Sequence, residues 1–252
     1  LRKLRFCSKL NSLNGSKNKN MKKIFLLTFL VSAIGFAQEN YAIDSKYFLL
    51  GTLNDYIGRN QFSDKKEIIE SFSAHEKSLV DKLATFFSKD SLLVEKIDSD
   101  NYKSVRYNLI SKNLNSSINS FYDYKFSSLT YPKKDSLFRG KLKDSIFNKN
   151  SEKVSFLLGC LARYSTNLVT LNKKEFCLQF ANSSSKYIMC QKIITELGYK
   201  TSKIETLPKI PRINRIYFSV DKSNYKLFKE YNTIGIEIQN YLLNHYSRSI
   251  KN

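Results

Sequence analysis

The spacing of apolar residues predicts helices in the first half of the chain. Apolar positions there recur every three or four residues, as on amphipathic helices. The predicted helices cover residues 44–59, 64–88, 98–124 and 135–147, with an extended stretch over 126–132. Asp44 and Ser45 provide capping side chains for the first helix.

The pattern changes after a polar hinge at residues 148–151. Residues 154–168 are strongly apolar, and residues 175–181 alternate as a strand. A helix over 186–197 is closed by Gly198, a common residue after a helix end. Strands follow over 200–206 and 213–220, and a final helix runs to about residue 242. We therefore predict an α+β fold, with a mainly helical region over 38–150 and a β-α-β-β-α region over 151–252.

One internal similarity supports two interpretations. Phe48-Leu49-Leu50-Gly51-x-Leu53-x-x-Tyr56 recurs 108 residues later as Phe156-Leu157-Leu158-Gly159-x-Leu161-x-x-Tyr164. A duplication predicts two similar helices that pack closely through the two glycines. A chance match in a Leu- and Lys-rich chain is the alternative, favoured by the helical pattern after Glu67 and the strand pattern after Glu175.

Residues 21–37 have the three parts of a secretory signal peptide. Lys22 and Lys23 precede an apolar region of thirteen residues, 24–36, and the small residues Gly35 and Ala37 precede Gln38. We predict cleavage between Ala37 and Gln38, with residues 1–20 a non-native or disordered prefix. The apolar run is shorter than a membrane span. Gln38 stands where bacterial lipoproteins have Cys, so the prediction is an exported periplasmic or secreted protein without a lipid anchor.

The chain is strongly basic, and its charge has two interpretations. Residues 1–37 hold eight of the 42 Lys and Arg and none of the 22 Asp and Glu, so residues 38–252 carry a formal charge of +12. Such a charge attracts polyanions. A general excess of Lys, Asn, Ile and Tyr instead indicates a compositional bias. Arg, the better bidentate phosphate partner, is sparse, so the sequence argues against nucleic acid as partner.

The sequence offers few candidate catalytic or binding residues. Cys160, Cys177 and Cys190 show no metal-binding spacing, and they suit buried residues, one disulfide pair or a reactive thiol. His75 lies at the edge of an apolar stripe, which favours a packed role. The known catalytic and phosphate-binding motifs are absent from the sequence, and no cofactor is predicted. Lys209, Arg212 and Arg215 form the densest basic segment after the leader and are the candidate anion site.

One short resemblance accompanies the strand over 175–181. Leu178-Gln179-Phe180-Ala181-Asn182-Ser183 is similar to the first strand of SPOR-type peptidoglycan-binding domains, through the glutamine and a serine near the helix start. The glycine of that motif is missing here. The resemblance implies a βαββαβ arrangement and a wall polymer as ligand.

These observations favour a non-enzymatic binding or structural module of the bacterial cell envelope. Its predicted partner is an envelope protein or polymer. A hydrolase-like enzyme with an unrecognised active site and a basic polyanion- or peptidoglycan-binding protein are the alternatives.

Overall fold

Six α-helices and nine β-strands make up the part of the chain that the computed structural model describes. That part comprises residues 42–62, 67–90, 92–99, 104–129, 136–166, 174–183, 185–208 and 210–249. The helices are α1 (Ser45–Thr52), α2 (Lys77–Phe86), α3 (Lys112–Asn119), α4 (Asn150–Tyr164), α5 (Lys186–Glu196) and α6 (Lys222–Ser249). The strands are β1 (Arg59–Phe62), β2 (Ile68–Ser73), β3 (Leu93–Ser99), β4 (Ser104–Ile110), β5 (Tyr122–Leu129), β6 (Ser136–Leu142), β7 (Phe176–Ala181), β8 (Lys200–Leu207) and β9 (Ile213–Ser219).

Helices α1 and α4 pack against each other at the centre of the core. Asp44 caps α1 through its carboxylate, which accepts the backbone N–H groups of Lys46 (3.0 Å) and Tyr47 (3.3 Å). A methyl group at Gly51 would overlap the carbonyl oxygen of Phe156, and one at Gly159 would overlap that of Phe48. These contacts are reciprocal: Gly51 and Gly159 are equivalent positions 108 residues apart, and so are Phe48 and Phe156. The two glycines thus allow a close approach related by a local two-fold axis.

The same offset continues beyond the two helices. Adding 108 to the bounds of β2 gives the bounds of β7. The following helix and the next two strands correspond within two residues, and the last helices begin within two residues of the same offset, although α6 is much longer than α3. The order α1-β2-α2-β3-β4-α3 therefore matches α4-β7-α5-β8-β9-α6. The two sheets have the corresponding orders β2-β4-β3 and β7-β9-β8, and both are antiparallel. The structure therefore favours the duplication over the chance match.

A third sheet combines one strand inserted in the first repeat, β1, with two strands between the repeats, β5 and β6. Its strand order is β1-β6-β5, with antiparallel pairing throughout. Gly140 in β6 lies against the ring of Tyr124, where a Cβ would be about 2.7 Å from a ring carbon. Among the described residues, the second repeat has no strands that correspond to this sheet.

The prediction of a helical N-terminal half is wrong, although an α+β fold is broadly consistent with the structure. Residues 68–73 form β2 within the predicted helix 64–88, and residues 104–110 form β4 within 98–124. Residues 136–142 form β6 where a helix was predicted over 135–147. Pairing with neighbouring strands outweighs the local apolar spacing in all three places. The strand-helix-strand-strand-helix order is present in the second half.

The last helix completes the core of the second repeat. Phe228 is fully buried, and its ring lies 5.8 Å from that of Phe176 and 6.3 Å from that of Phe218. Gly235 allows α6 to approach the carbonyl of Leu161 in α4. Within the described residues, no helix has both the length and the apolar character that a membrane span requires.

Candidate functional site

Of the three residues predicted from the sequence as an anion site, Arg212 and Arg215 lie among the described residues. Arg215 lies in β9, where its guanidinium donates to Gln179 (2.8 Å) and Glu205 (3.1 Å). Arg212 is exposed, and its backbone N–H donates to Asn182 (2.8 Å). Lys209, Ala37 and Gln38 lie outside the described residues. Glu205 already pairs with Arg215, and anion binding by the three basic residues stays a prediction.

A fully buried lysine closes the end of α1. The ammonium of Lys186 donates to the carbonyls of Leu50 (3.1 Å), Gly51 (2.8 Å) and Leu53. These carbonyls lie at the negative end of the helix, where a cation is stabilised. Burial lowers the pKa of Lys186, while the three acceptors favour its charged form. Lys186 therefore acts as a cap for α1.

Asp55 provides the complementary cap for α5. Its carboxylate accepts the backbone N–H groups of Ser185 (3.0 Å) and Lys186 (2.9 Å), and the hydroxyl of Ser183 (2.5 Å). These donors belong to the start of α5, the positive end of that helix. The carboxylate is therefore committed to holding α5 against the end of α1.

Arg163 at the end of α4 forms a second buried group of charges. It donates to Glu76 (2.7 Å) and to the carbonyl of Thr52 (2.7 Å), and it lies 3.4 Å from Glu70. Burial opposes its charge, but the two carboxylates raise the pKa of Arg163 above its usual value. A buried ion pair with these partners is costly to break. The charges around α1 and α4 thus serve to join elements.

A different cluster of charges lines an open recess between the third sheet and α5. The recess has a volume of about 690 Å³. We call it the basic recess, after its five basic side chains: Lys125, Arg139, Lys141, Lys143 and Lys192. Asp123 and Asp144 also line it, which leaves a net charge of +3. The strands β5 and β6 contribute three of the five cations, and α5 contributes one.

Two like charges face each other across the strands of this recess. Lys125 in β5 lies directly opposite Arg139 in β6, and Asn60 in β1 lies opposite Arg139 on its other side. Residues directly opposite each other share one face of a sheet, and like charges in such a pair repel. The Nε atom of Arg139 is buried and has no hydrogen-bond partner. A buried donor without a partner is rare and costly.

The other four basic side chains of the recess differ in the hydrogen bonds and ion pairs that they already form. Lys143 donates to the carbonyl of Ser120 (2.8 Å) and lies 3.8 Å from Asp123. Lys192 donates to the carbonyl of Asp144 (3.1 Å). Lys125 and Lys141 are exposed, and neither forms an ion pair with another described residue. The recess can therefore offer charge-assisted hydrogen bonds to an anion from several directions.

Sequence reasoning missed this recess for a definite reason. Arg139, Lys141 and Lys143 alternate with other residues, so they share a face only if the segment is a strand. The predicted helix over 135–147 places them around a cylinder instead. Gly140 was the available signal, because a glycine inside a strand often marks a close approach of the backbone.

The cysteines and His75 occupy buried or packed positions. Cys160, Cys177 and Cys190 are free thiols in the structure, and all three are buried. The sulfurs of Cys160 and Cys190 lie 3.6 Å apart. Burial raises the pKa of Cys177 to about 12, which disfavours its thiolate. His75 stacks on Tyr241 with ring centroids 5.6 Å apart. Within the described ranges, no cluster of three or more His, Cys, Asp or Glu could hold a metal ion.

Comparison with known proteins gives matches only among solved structures. No family model matches the chain, and a search of curated proteins found no match. The matched structures include the homing endonuclease I-DmoI in complex with DNA and calcium. That structure has 14% identity and a TM-score of 0.41, with 71% of this chain and 85% of the other covered.

Two further matches concern the same endonuclease. Mesophilic variants of I-DmoI have 13% identity and a TM-score of 0.45, with 74% of this chain and 93% of the other covered. An I-DmoI variant with its target DNA and manganese has 14% identity and a TM-score of 0.42, with 69% and 86% covered. Likenesses at this level assign neither a fold family nor an activity to this chain.

These findings nevertheless contradict the function predicted from the sequence. That prediction named an exported cell-envelope module and argued against nucleic acid as the partner, whereas two of the matched structures contain DNA. The envelope role and the envelope partner are therefore wrong predictions. The predicted signal peptide lies outside the described residues, and localisation stays a prediction that the comparisons do not test.

Proposed function

We propose that this chain binds nucleic acid and holds its phosphate backbone in the basic recess. The observation that carries the proposal is the placement of Arg139 directly opposite Lys125, with both side chains lining the basic recess. A phosphate bound between these two side chains would place a negative charge beside both like charges, and a guanidinium binds phosphate through charge-assisted hydrogen bonds.

The layout of the recess favours a polyanion over a single small anion. Arg139 and Lys141 are two residues apart on one strand face, so about 7 Å separates their backbone positions. Lys125 stands on the neighbouring strand, and Lys192 faces the recess from α5. An isolated ion would engage only part of this array. A chain of phosphates can use all of it, and nucleic acid is such a chain.

Binding of a labelled oligonucleotide, followed by fluorescence anisotropy, tests the proposal. Lys125→Gln/Lys141→Gln removes two exposed charges from the recess, and both side chains are without an ion pair to a described residue, so the fold should be retained. Lys200→Gln/Lys226→Gln removes the same charge from exposed positions in β8 and α6 and is the matched control. We expect the recess variant to bind about tenfold more weakly, since each phosphate contact adds to the affinity. The control should change affinity by less than about twofold.

Arg139→Gln provides an independent measurement. Because the Nε of Arg139 has no partner, this change should weaken binding without lowering the thermal midpoint of unfolding. Equal effects of the recess and control variants would overturn the proposal, and so would an Arg139→Gln variant that is stable and binds as the wild type does.

A further inference from the structure

The basic recess is also apolar on one side, next to its cations. Ile57 and Ile188 both line it, and their side chains are 43% and 61% exposed. Such exposure beside a charged surface leaves two large aliphatic groups in contact with solvent. A ligand with both an anionic and an apolar part would cover them and reach the basic side chains as well.

The backbone at Ile57 is strained where it meets the recess. Its φ of 59° lies in the left-handed region, which β-branched residues rarely adopt. Two hydrogen bonds hold this turn: Ile57 N–H donates to Asn182 (2.8 Å), and Gly58 N–H donates to the carbonyl of Asp55 (3.1 Å). Strain of this kind persists where surrounding structure enforces it and is common at ligand sites. The turn therefore places an aliphatic residue at the rim of the recess against its own backbone preference.

An exposed aromatic residue stands beside the cations. Phe126 follows Lys125 in β5, lines the recess and is 60% exposed. It meets Phe138 edge-on, with ring centroids 6.0 Å apart and an interplanar angle of 77°. Phe126 pairs regularly with Phe138 beside the Lys125–Arg139 pair, and the register shifts only after it, between Phe126 and Ser128. Exposed aromatic rings next to positive charge are the usual stacking platforms for unpaired bases.

The geometry points to single-stranded nucleic acid as the ligand, with one unpaired base in the basic recess. This inference rests on the proposed function. The volume of about 690 Å³ suits a ligand of small-molecule size. Bases in a duplex are stacked and show only their edges in the grooves, so a paired base would have to leave the stack first. In a single strand the base is available, and its phosphates can reach Arg139 and Lys125.

Three oligonucleotides of one length separate the contributions of base and phosphate. They are a single strand, the duplex of the same sequence and a single strand with abasic residues, which keeps the phosphates and removes the bases. We expect the wild type to bind the single strand about tenfold more tightly than either of the others, because stacking on aromatic rings contributes on that scale.

Phe126→Leu tests the aromatic contact directly. It should weaken single-strand binding about fivefold and leave the abasic strand unaffected, since leucine keeps the apolar area but cannot stack as a ring does. Ile204→Ala, at a half-exposed aliphatic residue of β8 outside the recess, is the control.

The outcomes distinguish this inference from the proposed function. Equal or tighter binding of the duplex, still weakened by Lys125→Gln/Lys141→Gln, would overturn the inference and leave the proposed function standing. Equal binding of the abasic strand, or an unchanged affinity of Phe126→Leu for the single strand, would also overturn it. Binding that no recess variant affects would overturn both.

Discussion

At the residue scale, the two glycines of the central helix pair have a role that helix propensity does not suggest. Glycine inside a helix is normally destabilising relative to alanine by about 1 kcal/mol. Gly51 and Gly159 are retained at positions where a Cβ would overlap the carbonyl of the facing helix. The repeated segment alone predicted this close approach, since both copies place a glycine at the same point. The sequence could not show whether the copies meet, because that depends on contacts between distant residues.

Gly159→Ala should destabilise the protein despite improving helix propensity. The added methyl would meet the backbone oxygen of Phe48, which cannot move without shifting α1. We expect the free energy of unfolding to fall by about 3 kcal/mol, as in overpacked cores. Urea unfolding followed by circular dichroism measures the change.

Gly198→Ala is the matched control for that change. Gly198 has a φ of 71° and nothing within 4 Å of an added Cβ, so only backbone strain of about 1 kcal/mol should result. A Gly159→Ala variant as stable as the Gly198→Ala variant would show that the helices are further apart than described.

At the element scale, β6 shows why the helical N-terminal half was predicted. Leu137, Phe138 and Leu142 in β6 fit helical spacing as well as they fit a strand with a bulged partner. Short apolar segments of this kind are ambiguous by periodicity alone. Pairing with β1 and β5 makes the segment a strand, and this pairing cannot be read from the local pattern of apolar residues. The second half was easier, because Gly198 and the polar residues at 182–185 mark the ends of its elements.

The pairing of β8 with β9 contains a carboxylate whose ionisation should govern stability in acid. Hydrogen bonds from Lys203, Tyr217 and Arg215 lower the pKa of Glu205 from 4.5 to about 2. A lowered pKa in the folded state stabilises the protein above the unfolded value. That stabilisation is lost as the pH falls from about 4.5 through about 2.

Glu205→Gln should therefore flatten the pH dependence of stability in that window. The free energy of unfolding of the wild type should decline more steeply than that of the variant as the pH is lowered. Urea unfolding at successive pH values measures both slopes. Glu237→Gln removes the same charge from the exposed surface of α6 and should keep the wild-type slope. Parallel curves for wild type and Glu205→Gln would contradict the described network.

At the scale of the whole molecule, the described residues resemble two copies of one unit with an added sheet, whose strands lie within the first copy and between the two. The element order and the strand orders of both repeats agree. The basic recess uses β5 and β6 from the added sheet and α5 from the second repeat. No single segment of sequence therefore contains the site, and its cations at positions 125 to 192 looked like scattered surface charge.

The salt dependence of binding decides whether that charge is localised or general. If the basic recess holds the phosphates, the logarithm of affinity should fall with the logarithm of salt concentration with a slope of about −0.7 for each phosphate contacted on a single strand. Five cations then give a slope of about −3.5. Lys125→Gln/Lys141→Gln should reduce its magnitude by about 1.4, since two contacts are lost.

General attraction by the charge of +12 on residues 38–252 predicts a different result. Losing any two lysines would then change the slope equally, so Lys200→Gln/Lys226→Gln and the recess variant would behave alike. Titrations between about 50 and 200 mM salt separate the two cases, because affinity changes most steeply there. A common slope for both variants would show that the Lys excess attracts nucleic acid only through the general charge of the protein. A reduced slope in the recess variant alone would place the phosphates beside Arg139.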